Sequence, residues 1–207
     1  MSDIAIAVVG ASWGGLAALS QLIAALPRNF PVPLAIVQHR SRHSDNLLAT
    51  LLQDITPLRV IDVEDKEPLE PGNVYIAPAN YHMMVEKGHL SLTTDPLVRF
   101  SRPSIDVTFI SAADAYRDAT LGVVLTGAND DGSLGLRHIV DCGGKAIIQD
   151  PATAESPTMP MAATQAVPEA EVLPLADIPE RLVAMSTKAV KFRSRNADPY
   201  APSEKAE

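Results

Sequence analysis

Three short polar segments, far apart in the chain, carry side chains that together could hydrolyse an ester. Gly10-Ala11-Ser12-Trp13-Gly14 fits the G-x-S-x-G pattern of a nucleophile elbow, where glycines permit a turn tight enough to hold a serine hydroxyl clear of the backbone. Placed before a helix, that serine would have main-chain amides nearby to favour the negative charge formed when it attacks a carbonyl. The same stretch admits other readings: Gly10-x-Ser12-x-x-Gly15 also resembles a dinucleotide loop with serine at its second glycine, or a plain helix cap. His39 offers an imidazole that can take a proton from Ser12 and return it to a leaving group, or it is a structural histidine. In Thr126-Gly127-Ala128-Asn129-Asp130-Asp131-Gly132, Asp131 could orient that imidazole, whereas capping the next helix is the alternative and suits Asp130 even better.

For these segments to meet, the elements around them must deliver them to one place. Ile4 to Val9 is an apolar run that reads as a buried strand, and Leu16, Leu19, Leu22, Ile23 and Leu26 then recur at helical spacing up to Pro27. Leu34 to Val37 reads as a second strand, and Ser44 as the cap of a helix carrying Leu47, Leu48, Leu51 and Leu52. Short strands follow at Arg59 to Asp62 and Val74 to Ala77, then a hairpin of Met83 to Val85 and Leu90 to Thr93 about Gly88. A helix begins after Arg102-Pro103-Ser104, a strand covers Leu121 to Leu125, and a helix runs from Ser133 to Asp141. Ala146 to Ile148 is a further strand, and a last helix starts at Ile178. Alternating strands and helices predict an α/β fold: a doubly wound, mostly parallel sheet flanked by helices, with a small β-hairpin. In such a sheet the loops bearing Ser12, His39 and Asp131 gather at the carboxyl edge, where ligands bind.

Composition narrows the function. Of 207 residues, 46% are hydrophobic but only 4% aromatic, so the core must be built mainly from Val, Ile, Leu and Ala. A formal net charge of -8 argues against nucleic acid as a partner. Cys142 is the only cysteine, which excludes an intrachain disulfide and points to a reducing, cytoplasmic setting. No apolar run reaches the roughly 18 residues of a membrane span, and Met1-Ser2-Asp3 does not open a secretory signal, so no membrane insertion is expected. The five histidines are scattered without a His-Glu-x-x-His pattern, which disfavours a metal hydrolase; His43 and His82 read as solvated surface, and Arg40 and Arg42 as an exposed loop.

The order Ser, His, Asp separates this chain from the α/β-hydrolases, whose acid precedes the histidine. Val8-Val9-Gly10-Ala11-Ser12-Trp13-Gly14-Gly15, Val37-Gln38-His39 and Leu125 to Gly132 together resemble the CheB-type protein-glutamate methylesterase domain. Pro71 to Pro78, Arg102-Pro103-Ser104-Ile105-Asp106-Val107 and Met159-Pro160-Met161-Ala162-Ala163 extend the resemblance, in family order, over roughly residues 4 to 190. The resemblance implies hydrolysis of glutamate methyl esters on chemoreceptors, with deamidation of particular glutamines in related enzymes. It assigns Ser12 as nucleophile, His39 as general base and acid, and Asp131 as the orienting carboxylate, with no metal or organic cofactor. Residues 1–192 are then the methylesterase catalytic domain and 193–207 a disordered tail. Trp13 departs from the small residue usual beside the nucleophile, and Ala128 from a common Met, though its amide remains a candidate oxyanion donor. The first strand begins by Ile4, so the amino-terminal receiver domain of chemotaxis relatives is not expected, and control would come from a separate regulatory protein. The substrate would be a methylated chemoreceptor or another protein. Alternatives are a non-catalytic phosphate- or nucleotide-binding flavodoxin-like module, or a catalytically degenerate scaffold.

Overall fold

The computed structural model describes residues 3–41 and 47–193, with side chains as far as 186. The Ser44 cap, His43 and Arg42 lie outside the described residues, as does the expected tail from 194 onward. Seven parallel strands form the main sheet, in the order β10-β9-β8-β1-β2-β5-β3. They are β1 (Ile6–Ala11), β2 (Leu34–Gln38), β3 (Arg59–Asp62), β5 (Asn73–Ile76), β8 (Thr120–Val124), β9 (Lys145–Gln149) and β10 (Glu171–Leu173). All six residues of β1 are buried, because both faces of the sheet are covered; that is why the strand reads as an unbroken apolar run.

Side chains alternate between two cores. Ala7, Val9 and Ala11 face Leu19, Leu22 and Ile23 of α1 (Gly15–Ala24), Leu52 of α2 (Leu47–Gln53) and Leu182 of α6 (Ile178–Arg193). Ile6 and Val8 face the other way, onto Ile105 and Phe109 of α3 (Ile105–Tyr116), Leu136 and Ile139 of α4 (Ser133–Asp141), and Met159 and Ala163 of α5 (Thr158–Ala166). Helices therefore flank both faces, as expected of a doubly wound sheet. Burying each such aliphatic side chain contributes about 1.5–3 kcal/mol, which is what fixes α1 on the sheet despite its unremarkable length. Leu16, expected on the core face of α1, is instead 46% exposed. It is the second residue of the helix and lines an open cleft at that end of the sheet.

The hairpin is present as β6 (His82–Glu86) and β7 (His89–Thr93), joined antiparallel. It grows into a three-stranded sheet through β4 (Glu67–Pro68), which pairs with β7. Met83, Val85 and Leu90 pack this small sheet against the α3 side of the molecule. Chain direction departs from β1 to opposite sides: β2, β5 and β3 lie one way, and β8, β9 and β10 the other. The crevice outside the carboxyl ends of β8, β1 and β2 is thus the topological switch point of the fold.

Candidate active site

Ser12, His39 and the segment 126–132 follow β1, β2 and β8 directly, so three neighbouring strands discharge their loops at that crevice. The main chain welds the loops together. His39 N–H donates to Ala11 O at 3.0 Å and Ser12 N–H to Thr126 O at 2.9 Å. Gln38 Nε2 donates to both Ser12 O, at 2.8 Å, and His39 O, at 2.9 Å. Thr126 Oγ1 donates to Trp13 O at 2.9 Å. The turn after Ser12 needs glycine at two places. Gly14 has φ 76, a conformation costly for other residues. Gly15 lies so close to β2 that a Cβ there would stand 1.9 Å from Gln38 Oε1.

His39 and Asp131 meet. His39 Nε2 is 2.7 Å from Asp131 Oδ2. A carboxylate only accepts, so Nε2 carries the hydrogen and Nδ1 is left with its lone pair. Asn129 Nδ2 lies 3.5 Å from that Nδ1, at the limit of a hydrogen bond. Ser12 and His39 line the same open cleft, of about 740 Å³, together with Trp13, Leu16, Ala128 and Glu155. Among the described residues the Ser12 hydroxyl makes no hydrogen bond. The Ala128 and Trp13 amides also have no acceptor among the described residues.

Asp131 is fully buried yet accepts four hydrogen bonds, two on each oxygen. Besides His39, they come from Ile105 N at 2.7 Å, Ser104 Oγ at 2.9 Å and Asp106 N at 3.0 Å. The carboxylate therefore caps the amino end of α3 from a distance, where the helix dipole also favours it. Burial works to raise its pKa, but the His39 hydrogen bond and the Ile105 and Asp106 amides outweigh that and hold it below the usual carboxylate range. Asp106 returns the favour to α4. Its Oδ1 accepts from Gly132 N at 2.9 Å and Gly135 N at 2.7 Å. Burial, opposed by the Gly135 amide but joined by the charge of Asp131, pushes the Asp106 carboxyl up to about 6. Two adjacent aspartates thus exchange helix caps, one held ionised and the other driven towards neutrality.

Several expectations change here. Asp131 caps a helix, but α3 rather than α4. Asp130 gives α4 only its carbonyl, which accepts from Ser133 Oγ at 2.7 Å, while its carboxylate pairs with Arg99. His82 is buried, not surface: Nε2 donates to Pro96 O at 3.1 Å, and Nδ1 accepts from Ser104 N at 3.2 Å, steadying the start of α3. Arg40 is half-buried and not an open-loop residue: its side chain is 8% exposed and Nη2 donates to Ala77 O at 2.6 Å. Trp13 is 66% exposed and lines the cleft. Gln38, Ser104 and Asp106 lie in segments that carry the family resemblance but were given no role from the sequence. Ser104-Ile105-Asp106 did carry a signal, a hydroxyl and a carboxylate at a helix start, but nothing local says which distant groups they meet.

Fold and site together define a class: an open, doubly wound α/β domain with a hydroxyl, an imidazole and a buried carboxylate at the carboxyl edge of its central strands. Residues 7–182 match the family model of the CheB methylesterase. The chain is 40% identical over 187 residues to a Leptospira interrogans protein provisionally named a protein-glutamate methylesterase/protein-glutamine glutaminase, covering 90% of this chain and 97% of that one. It is 40% identical over 171 residues to the protein-glutamate methylesterase FrzG of Myxococcus xanthus, covering 82% of this chain and 51% of that one. The crystal structure of the Thermotoga maritima CheB methylesterase catalytic domain matches with a TM-score of 0.83 at 34% identity, over 88% of this chain and 99% of that chain. The chain belongs to the CheB methylesterase family.

Proposed function

We propose that this chain hydrolyses methyl esters of glutamate side chains on a methylated chemoreceptor, with Ser12 as nucleophile, His39 as base and acid, and Asp131 as the group orienting His39. Residues 1–192 are the catalytic unit in this reading. One observation supports it: the 2.7 Å contact of His39 Nε2 with a buried, four-fold hydrogen-bonded carboxylate, which leaves Nδ1 with its lone pair in a cleft that Ser12 also lines. Nδ1 takes the Ser12 proton as Oγ attacks the ester carbonyl. The free amides of Ala128 and Trp13 are the donors available to the oxyanion. The tetrahedral adduct collapses, the proton on Nδ1 passes to the departing methoxide, and methanol leaves. Water, deprotonated by the same nitrogen, then attacks the acyl-serine; the bond to Ser12 Oγ breaks, the proton passes from Nδ1 to that oxygen, and the glutamate carboxylate is released. The Ser12–His39 hydrogen bond is one that forms with substrate in place, since catalytic contacts often tighten only in the Michaelis complex.

The same steps with ammonia as leaving group give glutamine deamidation, in keeping with the double name of the Leptospira relative. A phosphate-binding role for the α1 amino end fits less well. The Glu155 side chain packs against Gly14, where a Cβ would stand 2.7 Å from its Oε2, and that negative charge opposes a phosphate there. Methanol release from a methylated receptor tests the reading. Ser12→Ala should lose it while keeping its far-ultraviolet circular dichroism, and undiminished release by that variant would refute the assignment.

A further inference from the structure

At the opposite ends of α3 and α4 from the cleft, three metal-binding side chains converge. Asp114 lies in the last turn of α3, His138 in the last turn of α4, and Cys142 caps α4 one turn later, its N–H donating to His138 O at 3.0 Å. His138 Nε2 is 2.8 Å from Asp114 Oδ1 and 3.8 Å from Cys142 Sγ, and the three ligand atoms all lie within 4.8 Å of one another. A proton relay would need the two ring nitrogens to serve the two partners separately. Here one nitrogen faces both, so the groups surround a point instead of forming a chain. We infer that Asp114, His138 and Cys142 form a binding site for a divalent cation of the zinc class, clamping the carboxyl ends of α3 and α4 together.

The ligand set and the spacing agree with that ion. Imidazole and thiolate suit zinc, and bond lengths of about 2.0 Å to nitrogen and oxygen and 2.3 Å to sulfur imply ligand separations of roughly 3.3–3.5 Å. The observed 2.8 and 3.8 Å straddle that range, within reach of side-chain rotation. Both helices end within a turn of this cluster, and neither has a lysine or arginine inside its last turn, although Arg117 follows α3 as its C-cap; negative dipole ends near the site favour a cation. The Asp114 and His138 side chains are 63% and 38% exposed, which gives an ion a path in and leaves a fourth position for water.

Because Cys142 is the only cysteine, a thiolate-to-metal charge-transfer band can come from nowhere else in the chain. Cobalt(II) titrated into the full chain under a non-thiol reductant should produce that band, saturating near one equivalent, and zinc should displace it. Cys142→Ser should abolish the band. His138→Ala and Asp114→Asn should each weaken cobalt binding at least roughly tenfold, the low end of what losing even an outer partner of a ligand costs. Zinc should also raise the thermal unfolding midpoint of the parent chain and not that of Cys142→Ser. Absence of the band, or a band equally strong in His138→Ala and Asp114→Asn, would overturn the inference, as would an equal zinc-induced shift in Cys142→Ser.

Discussion

Asp131 is one carboxylate that holds both a helix start and, in the proposed reaction, the imidazole of His39. It is buried, yet it stays ionised because two amides at the start of α3, the Ser104 hydroxyl and the His39 imidazole all donate to it. Asp131→Asn would keep the shape but turn one acceptor into a donor facing other donors. We expect a loss of about 1–3 kcal/mol in chemical denaturation, and a fall in kcat of roughly 10⁴, the effect of a wrong histidine tautomer in a comparable site. Normal kcat in the asparagine variant would contradict this role. Asp106 behaves oppositely. Its carboxyl is raised to about 6, so the folded state binds that proton more tightly than the unfolded chain does. The stability it contributes is full below about pH 4, the unfolded value, and is lost as pH rises through 6. Asp106→Asn keeps an oxygen for the Gly132 and Gly135 amides but has no proton to lose. Its stability relative to the parent should therefore grow from pH 4 to pH 7, measured as urea midpoints; a constant difference would remove the argument.

At the scale of elements, the loops are positioned by close approaches that leave no room for larger side chains. Gly15→Ala would drive a methyl to 1.9 Å from Gln38 Oε1 and 2.9 Å from the Ala11 Cβ. The strain should cost about 1–3 kcal/mol and displace Gln38, the side chain that ties the Ser12 loop to the His39 loop. An unchanged unfolding midpoint would show that the two loops separate freely. The strands and helices themselves were largely legible: Arg59–Asp62 and Ser133–Asp141 fall where the pattern puts them, because apolar runs and glycine stops are local signals. β10 and α5 were not read from the pattern. Glu171–Leu173 is short and only half-buried at the sheet edge, and Thr158–Ala166 opens with Pro157 and carries Pro160, which masks its helical spacing. The exchange of caps between α3 and α4 was beyond reach for a different reason. It depends on which helix ends become neighbours, and that is decided by the crossing of the chain over the sheet.

For the whole molecule, the decisive feature is that β1 lies between β2 and β8 although about 80 residues of other structure separate β2 from β8 in sequence. That placement brings a hydroxyl, an imidazole and a carboxylate from distant segments to one crevice. The three types at three strand ends could be read from the sequence, whereas the orientation of the imidazole, with Nε2 on Asp131, could not. Among the described residues no helix is long and apolar enough to cross a membrane. The proposed reaction requires that Ser12 be activated by its neighbours. The direct measurement is labelling of the native chain with a fluorophosphonate, followed by peptide mass spectrometry. A single adduct on Ser12, formed at a rate that collapses in His39→Gln, is the predicted result. Labelling confined to another residue, or a Ser12 adduct forming equally fast without the imidazole, would contradict it.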